Sequence, residues 1–209
     1  MAELKAVRRP PLLAFKIMTL PKLLLFLTLP LYVLDQITKF WTVTHLHPPR
    51  LVDFGEHPEM VTDQIPVIEN VFHWVRVHNQ GVAFGFGNGS AWAPVVFLIV
   101  PLIALTMIRI FWKKGLFAAP VAKVAVALLL CGIFGNLTDR LVQGFLLEEF
   151  QGASFWHRLS EGYVVDFISV KLPFYGWWPS FNVADSCICI AAVTLFLSGL
   201  REEKKSKAA

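Results

Sequence analysis

Four apolar stretches, from about Leu20 to Trp41, Ala91 to Trp112, Leu116 to Leu141 and Phe181 to Leu200, constrain this chain more than anything else in it. A helix needs about 20 predominantly apolar residues to cross the hydrocarbon core of a bilayer, and each stretch has them. The 209 residues are 56% hydrophobic and only 16% charged, with a mean hydropathy of +0.57, more apolar than a soluble domain of this size requires. The expected fold class is therefore an all-α membrane protein, one domain over residues 1–209 with four transmembrane helices. Pro30 and Pro101 fall inside expected spans, where neighbouring helices can satisfy the backbone groups a proline frees.

Net charge is +4, but no aromatic-basic module for nucleic acid is present, and the basic residues read as topology instead. Lys5, Arg8, Arg9, Lys16 and Lys22 precede or begin the first span. Arg109, Lys113, Lys114 and Lys123 surround the turn between the second and third, and Arg201, Lys204, Lys205 and Lys207 end the chain. These are 13 of the 19 Lys and Arg residues, so this side is expected to be cytoplasmic, with both termini on it. The connections at about 42–90 and 143–180 then lie outside. VFHWVRVHN alternates Val71, Val75 and Val77 with Phe72, Trp74 and Arg76, as a strand requires, and YVVDFISV is rich in β-branched and aromatic residues. A small extracytoplasmic β-sheet on the membrane surface is expected, with Trp74, Trp177 and Trp178 at headgroup depth. The first span follows a basic region as a signal peptide would. It has no A-x-A cleavage site and carries Asp35 and Lys39 at its far end, so it is expected to stay. Cys131, Cys187 and Cys189 are odd in number and lie inside spans, which suits small packing residues rather than a disulfide framework.

Two aspartates stand out against this background: Asp166 in GYVVDFISV and Asp185 at the head of the fourth span. A carboxylate in a membrane helix costs roughly 2.5 to 3.5 kcal/mol on insertion scales and usually marks function. Asp35 and Lys39, four apart on one helix face, would be explained by an ion pair with Lys39 snorkelling outward. Asn136, Asp139 and Arg140 share a face near the outer end of the third span, which helix-end polarity alone does not explain. Two carboxyl groups held close share one proton, so one can take a proton from water while the other protonates or polarises a scissile carbonyl. That chemistry requires no cofactor and no metal. The histidines, His45, His47, His73, His78 and His157 among them, match no zinc-ligand spacing, and no histidine or lysine in these motifs is placed to activate Ser186.

Five motifs in order, LDQITKFW, HNQGVAFG, GNLTDRL, GYVVDFISV and FNVADS, closely resemble bacterial lipoprotein signal peptidase, or signal peptidase II, from about Leu34 to the end of the fourth span. The resemblance implies a four-helix bundle with a small extracytoplasmic sheet in the inner membrane. It implies a catalytic pair at Asp166 and Asp185, with Asp35, Lys39, Asn79, Gly81, Asn136, Arg140 and Asn182 supporting the site or facing substrate. For Asp139 the expected role is structural, orienting Arg140 or capping nearby backbone. The implied substrate is a prolipoprotein bearing diacylglycerol on its lipobox cysteine, cleaved just before that cysteine by a monomeric enzyme among membrane lipids, with no nucleic acid involved. Two stretches are longer than the family's usual pattern: HLHPPRLVDFGEHPEMVTDQIPVIEN, and QGFLLEEFQGASFWHRLSE, whose Phe150, Phe155 and Trp156 suit an interfacial segment. Two rival readings are open. A small transporter would spread its acids through the bilayer depth, and a helix-binding scaffold would not need paired acids.

Overall fold

The computed structural model describes residues 18–53, 58–81 and 92–207; Lys5, Arg8, Arg9, Lys16 and the expected start of the second span at Ala91 lie outside them. Four helices long and apolar enough to cross a membrane are found among these residues: α1 (Leu20–His45), α2 (Ala93–Lys113), α3 (Pro120–Leu146) and α5 (Val183–Lys207), with the short α4 (Phe155–Ser160) between the last two. α1 and α3 run past their expected ends at Trp41 and Leu141. Within them Asp35, Lys39, Asp139 and Arg140 turn inward and are buried. Within α1 a wider, π-type segment at Leu24–Thr28 lies just ahead of Pro30. It carries the helix into a residue that has no N–H to donate.

Small residues let α3 and α5 approach closely, as membrane helices without a hydrophobic driving force require. Ala125, Leu128 and Cys131 on α3 pack with Cys187 and Ala191 on α5, while Cys189 is exposed. Gly135 is needed for space: a Cβ there would lie 2.7 Å from Asp35 Oδ2 and 2.8 Å from the Ala184 side chain. Three spans, α1, α3 and α5, therefore meet at one glycine.

The strands form two antiparallel units: a hairpin of β1 (Arg50–Asp53) with β2 (Pro58–Val61), and a sheet in the order β3 (Gln64–Ile68), β4 (Phe72–Asn79), β5 (Val164–Leu172), β6 (Gly176–Trp177). Strict alternation in β4 does not hold. Trp74 lies opposite Ile168 and Val77 opposite Asp166, so β4 fits three steps against two of β5 through a bulge, and the neighbours Val75 and Arg76 are both buried. The sheet is seated on the end of α1. The Trp74 indole N–H donates to Thr42 Oγ1 (2.8 Å), and Arg76 Nη1 donates to the carbonyls of Val43 (3.0 Å) and Leu46 (2.7 Å). Trp74 thus braces sheet against helix, stacked on Phe167, whereas Trp177 and Trp178 are exposed. In the longer segment after α3 a 3-10 turn (Glu148–Phe150) leads to α4, where Ser154 Oγ accepts from the His157 N–H. Arg158 donates to the Phe145 carbonyl, and Phe155 and Trp156 are exposed, 59% and 75%, as an interfacial segment would have them.

Candidate active site

Asp185 sits in the first turn of α5, and its position is set by a reciprocal cap. Asn182 Oδ1 accepts from the Asp185 N–H (2.8 Å), and Asp185 Oδ2 accepts in return from the Asn182 N–H (3.2 Å). This is the capping-box arrangement, with Asn and Asp in place of the commoner Ser and Glu, and it satisfies two of the amides that a helix start leaves without partners. The remaining oxygen, Asp185 Oδ1, accepts from Asn136 Nδ2 at 2.7 Å.

Asp166 comes from β5 and is 2% exposed. Asn79 Nδ2 donates to its Oδ2 (2.9 Å) and Asn182 Nδ2 to its Oδ1 (2.7 Å). Asn182 therefore holds both acids, one through its side-chain amide and the other through its backbone. The Asp166 carboxyl is pushed up to about 8, first by burial and then by the charge of Asp185, against the opposing pull of the Asn79 and Asn182 donors. Desolvation and a like charge both favour the neutral acid, which is the condition for a pair that shares one proton.

Beneath the pair lies a buried ionic knot. Lys39 Nζ is 2.8 Å from Asp35 Oδ2, 3.0 Å from Asp139 Oδ2 and 3.1 Å from Asn136 Oδ1. Its ammonium is 1% exposed, so it does not snorkel outward. Each of its carboxylate partners grips a peptide N–H beside one member of the pair. Asp35 Oδ1 accepts from Ala184 N (2.8 Å), and Asp139 Oδ2 accepts from Val165 N (3.0 Å). Asp139 thus caps backbone, while the guanidinium of Arg140 turns to the Asn79 loop. Arg140 Nη2 donates to the Gly81 carbonyl (2.8 Å), Nη1 donates to that of Gln80 (3.4 Å), and the group lies 5.0 Å from the Phe97 ring centroid. The Gly81 N–H donates to Asn79 Oδ1 (3.0 Å), closing an Asx turn that aims the Asn79 amide at Asp166.

Gln36 joins this set without having been singled out by the motifs: its Nε2 donates to Asp35 Oδ2 (3.1 Å) and the Gly135 carbonyl (3.2 Å). Its place beside Asp35 in LDQITKFW was the available signal. Arg76 and His78 were also unmarked. Burial and the Arg76 charge push the His78 imidazole down to about 3, so the ring is neutral, accepts from Arg76 Nε (3.1 Å) and stacks on Tyr163. Elsewhere among the described residues, His47 sits on Asp63 and His73 on Gln64.

A buried acid of raised pKa beside a half-buried second acid, both held by amides, is an arrangement for moving one proton to and from water. The Signal peptidase (SPase) II family model matches residues 27–201, most of the chain and every residue of this site. The chain belongs to the signal peptidase II family. Lipoprotein signal peptidases resemble it over most of their length. That of Pseudomonas paraeruginosa is 30% identical over 186 residues, 88% of this chain and 92% of the relative, and that of Halalkalibacterium halodurans is 31% identical over 86% and 92%. A bacterial membrane enzyme solved by the in meso method at 2.3 Å resolution has the same fold, with TM-score 0.64 and 23% identity over 87% of this chain and 90% of that one. This signal peptidase II is thus a multi-pass membrane hydrolase of bacterial type, and its family supplies the reaction class that the geometry of the pair suits.

Proposed function

We propose that this enzyme removes the signal peptide from diacylglyceryl-modified prolipoproteins, cutting just before the lipidated cysteine with water activated between Asp166 and Asp185. The observation that carries the reading is the shared clasp of Asn182 on both carboxyl groups. In the first step the ionised member of the pair takes a proton from water as the water oxygen attacks the scissile carbonyl carbon, and the protonated member hydrogen-bonds the carbonyl oxygen as charge grows there. Collapse of the tetrahedral intermediate breaks the C–N bond. The proton taken from water passes to the departing amine of the cysteine, leaving a carboxyl-ended signal peptide and restoring one shared proton. Asn79, aimed by its turn and by Arg140, lies on the substrate side of Asp166. A signal peptide is itself a membrane helix, and the exposed α2 and α5 faces suit its approach from the bilayer with the lipidated cysteine near the interface. Both termini and the Arg109–Lys123 turn are assigned to the cytoplasm on the basic-residue bias, the sheet to the outside, and the working unit is a monomer.

The test is cleavage of a purified lipidated precursor. Asp166→Asn and Asp185→Asn should each lower the rate by at least roughly 10² to 10⁴-fold, whereas a transporter or scaffold role predicts no cleavage by the unaltered protein. Cleavage persisting at full rate in both variants would defeat the proposal.

A further inference from the structure

About 13 residues beyond Asp185 along α5, some 20 Å at helical rise, a second feature opens at the opposite end of the bundle. α2, the turn after it, α3 and α5 enclose an apolar groove of about 610 Å³, lined by Phe111, Phe117, Leu129 and Leu195 among others. That volume lies within the range of ligand-sized clefts. The groove is open by construction: a Cβ added at Gly115 or at Gly199 would meet no atom within 4 Å.

The chain beside it is predominantly basic, Glu202 and Glu203 after Arg201 being the acids nearest in sequence. Lys114 precedes the lining residue Gly115, Lys123 follows Ala122, Arg109 follows Ile108, and Lys113 and Arg201 lie two residues from Phe111 and Gly199. No Asp or Glu occurs from residue 92 to residue 138, and the ion pairs among the described residues involve none of these five. This end of the bundle thus combines an acyl-sized apolar slot with basic residues in excess over acidic ones, the pattern by which clefts between membrane helices select anionic lipid. The leading segment of a signal peptide is cationic and would be repelled here. We infer that this groove holds an anionic phospholipid, acyl chains against Phe111, Phe117, Leu129 and Leu195, phosphate among Lys113, Lys114 and Lys123. The inference stands apart from the proposed cleavage chemistry, since the groove does not touch the aspartate pair.

The experiment is retention of phosphatidylglycerol against phosphatidylcholine by the purified full chain in detergent, read by native mass spectrometry and by the Tm shift each lipid produces. The unaltered protein should retain phosphatidylglycerol preferentially. Gly199→Phe, which fills open space far from the catalytic machinery, should abolish the preference with the lipid-free Tm maintained. K113Q/K114Q/K123Q, the first two exposed and the third half-buried, should weaken retention by roughly fivefold for each cation removed. The charge variant decides the matter alone if Gly199→Phe does not fold. Equal retention of the two lipids, or a preference that survives the charge variant, overturns the inference. So does a Gly199→Phe protein that keeps its lipid preference but shows a raised KM for lipidated precursor, because the occupant would then be the signal peptide.

Discussion

Asp185 has two duties in one side chain, since the carboxyl held by Asn136 also returns a hydrogen bond to the start of its own helix. Loss of the cap can be separated from loss of the acid. Asn182→Ala should cost about 1 kcal/mol through the cap and, by freeing both acids, lower kcat more than it raises KM, which urea unfolding and steady-state kinetics on one preparation would resolve. Asp166 offers a cleaner titration. Its folded pKa of about 8 stands above the ordinary carboxyl value near 3.9, so between these the folded protein keeps a proton that the unfolded chain has lost. Stability therefore falls as pH rises through that window and levels off above about 8. kcat/KM should fall on the same alkaline limb as the pair becomes doubly ionised. Thermal unfolding from about pH 5 to 9 in Asp166→Asn should lack most of this slope; a slope equal to that of the unaltered protein would mean another group titrates. At this scale the acids themselves were legible in the sequence, whereas the cap that joins Asn182 to Asp185 came only with the structure. The bond from Val165 N to Asp139 was not, because nothing local in either segment announces a contact across 26 residues between a span and a strand.

Among the elements, the spans were readable because hydropathy is a property of composition, whereas their ends were not, because the residues that prolong α1 and α3, Thr42, Thr44, His45 and Gln143 among them, are polar and add nothing to an apolar run. The β4 bulge escaped for a related reason: Val75 and Arg76 fit an alternating pattern in sequence, and only the fixed anchors on either side, Trp74 on Thr42 and Asn79 on Asp166, require the additional residue. Gly135 shows what close helix approach demands. Gly135→Ala would place a methyl group against the Asp35 carboxylate and Ala184, and overpacking of this kind costs about 1 to 3 kcal/mol. The expected result is a lower Tm together with reduced cleavage, since the Asp35 grip on the Ala184 amide is what must yield. A variant of unchanged Tm and activity would show that α1 and α5 part there freely.

Across the whole molecule, one ammonium group joins everything that matters. Lys39 from α1 binds carboxylates from α1 and α3, and these hold amides of α5 and β5. Removing one partner of a buried ion pair costs about 3 to 5 kcal/mol because the charges left behind are uncompensated. Lys39→Met should lose stability on that scale in denaturant titration, whereas a loss below about 1 kcal/mol would identify the knot as no stronger than a surface pair. The same tie has a bearing on biogenesis. Spans enter a bilayer in succession, and until the first, third and fourth have met there is nothing to hold Asp166 opposite Asp185. On the proposed mechanism, a half-inserted chain should therefore cleave nothing until its last span is in place.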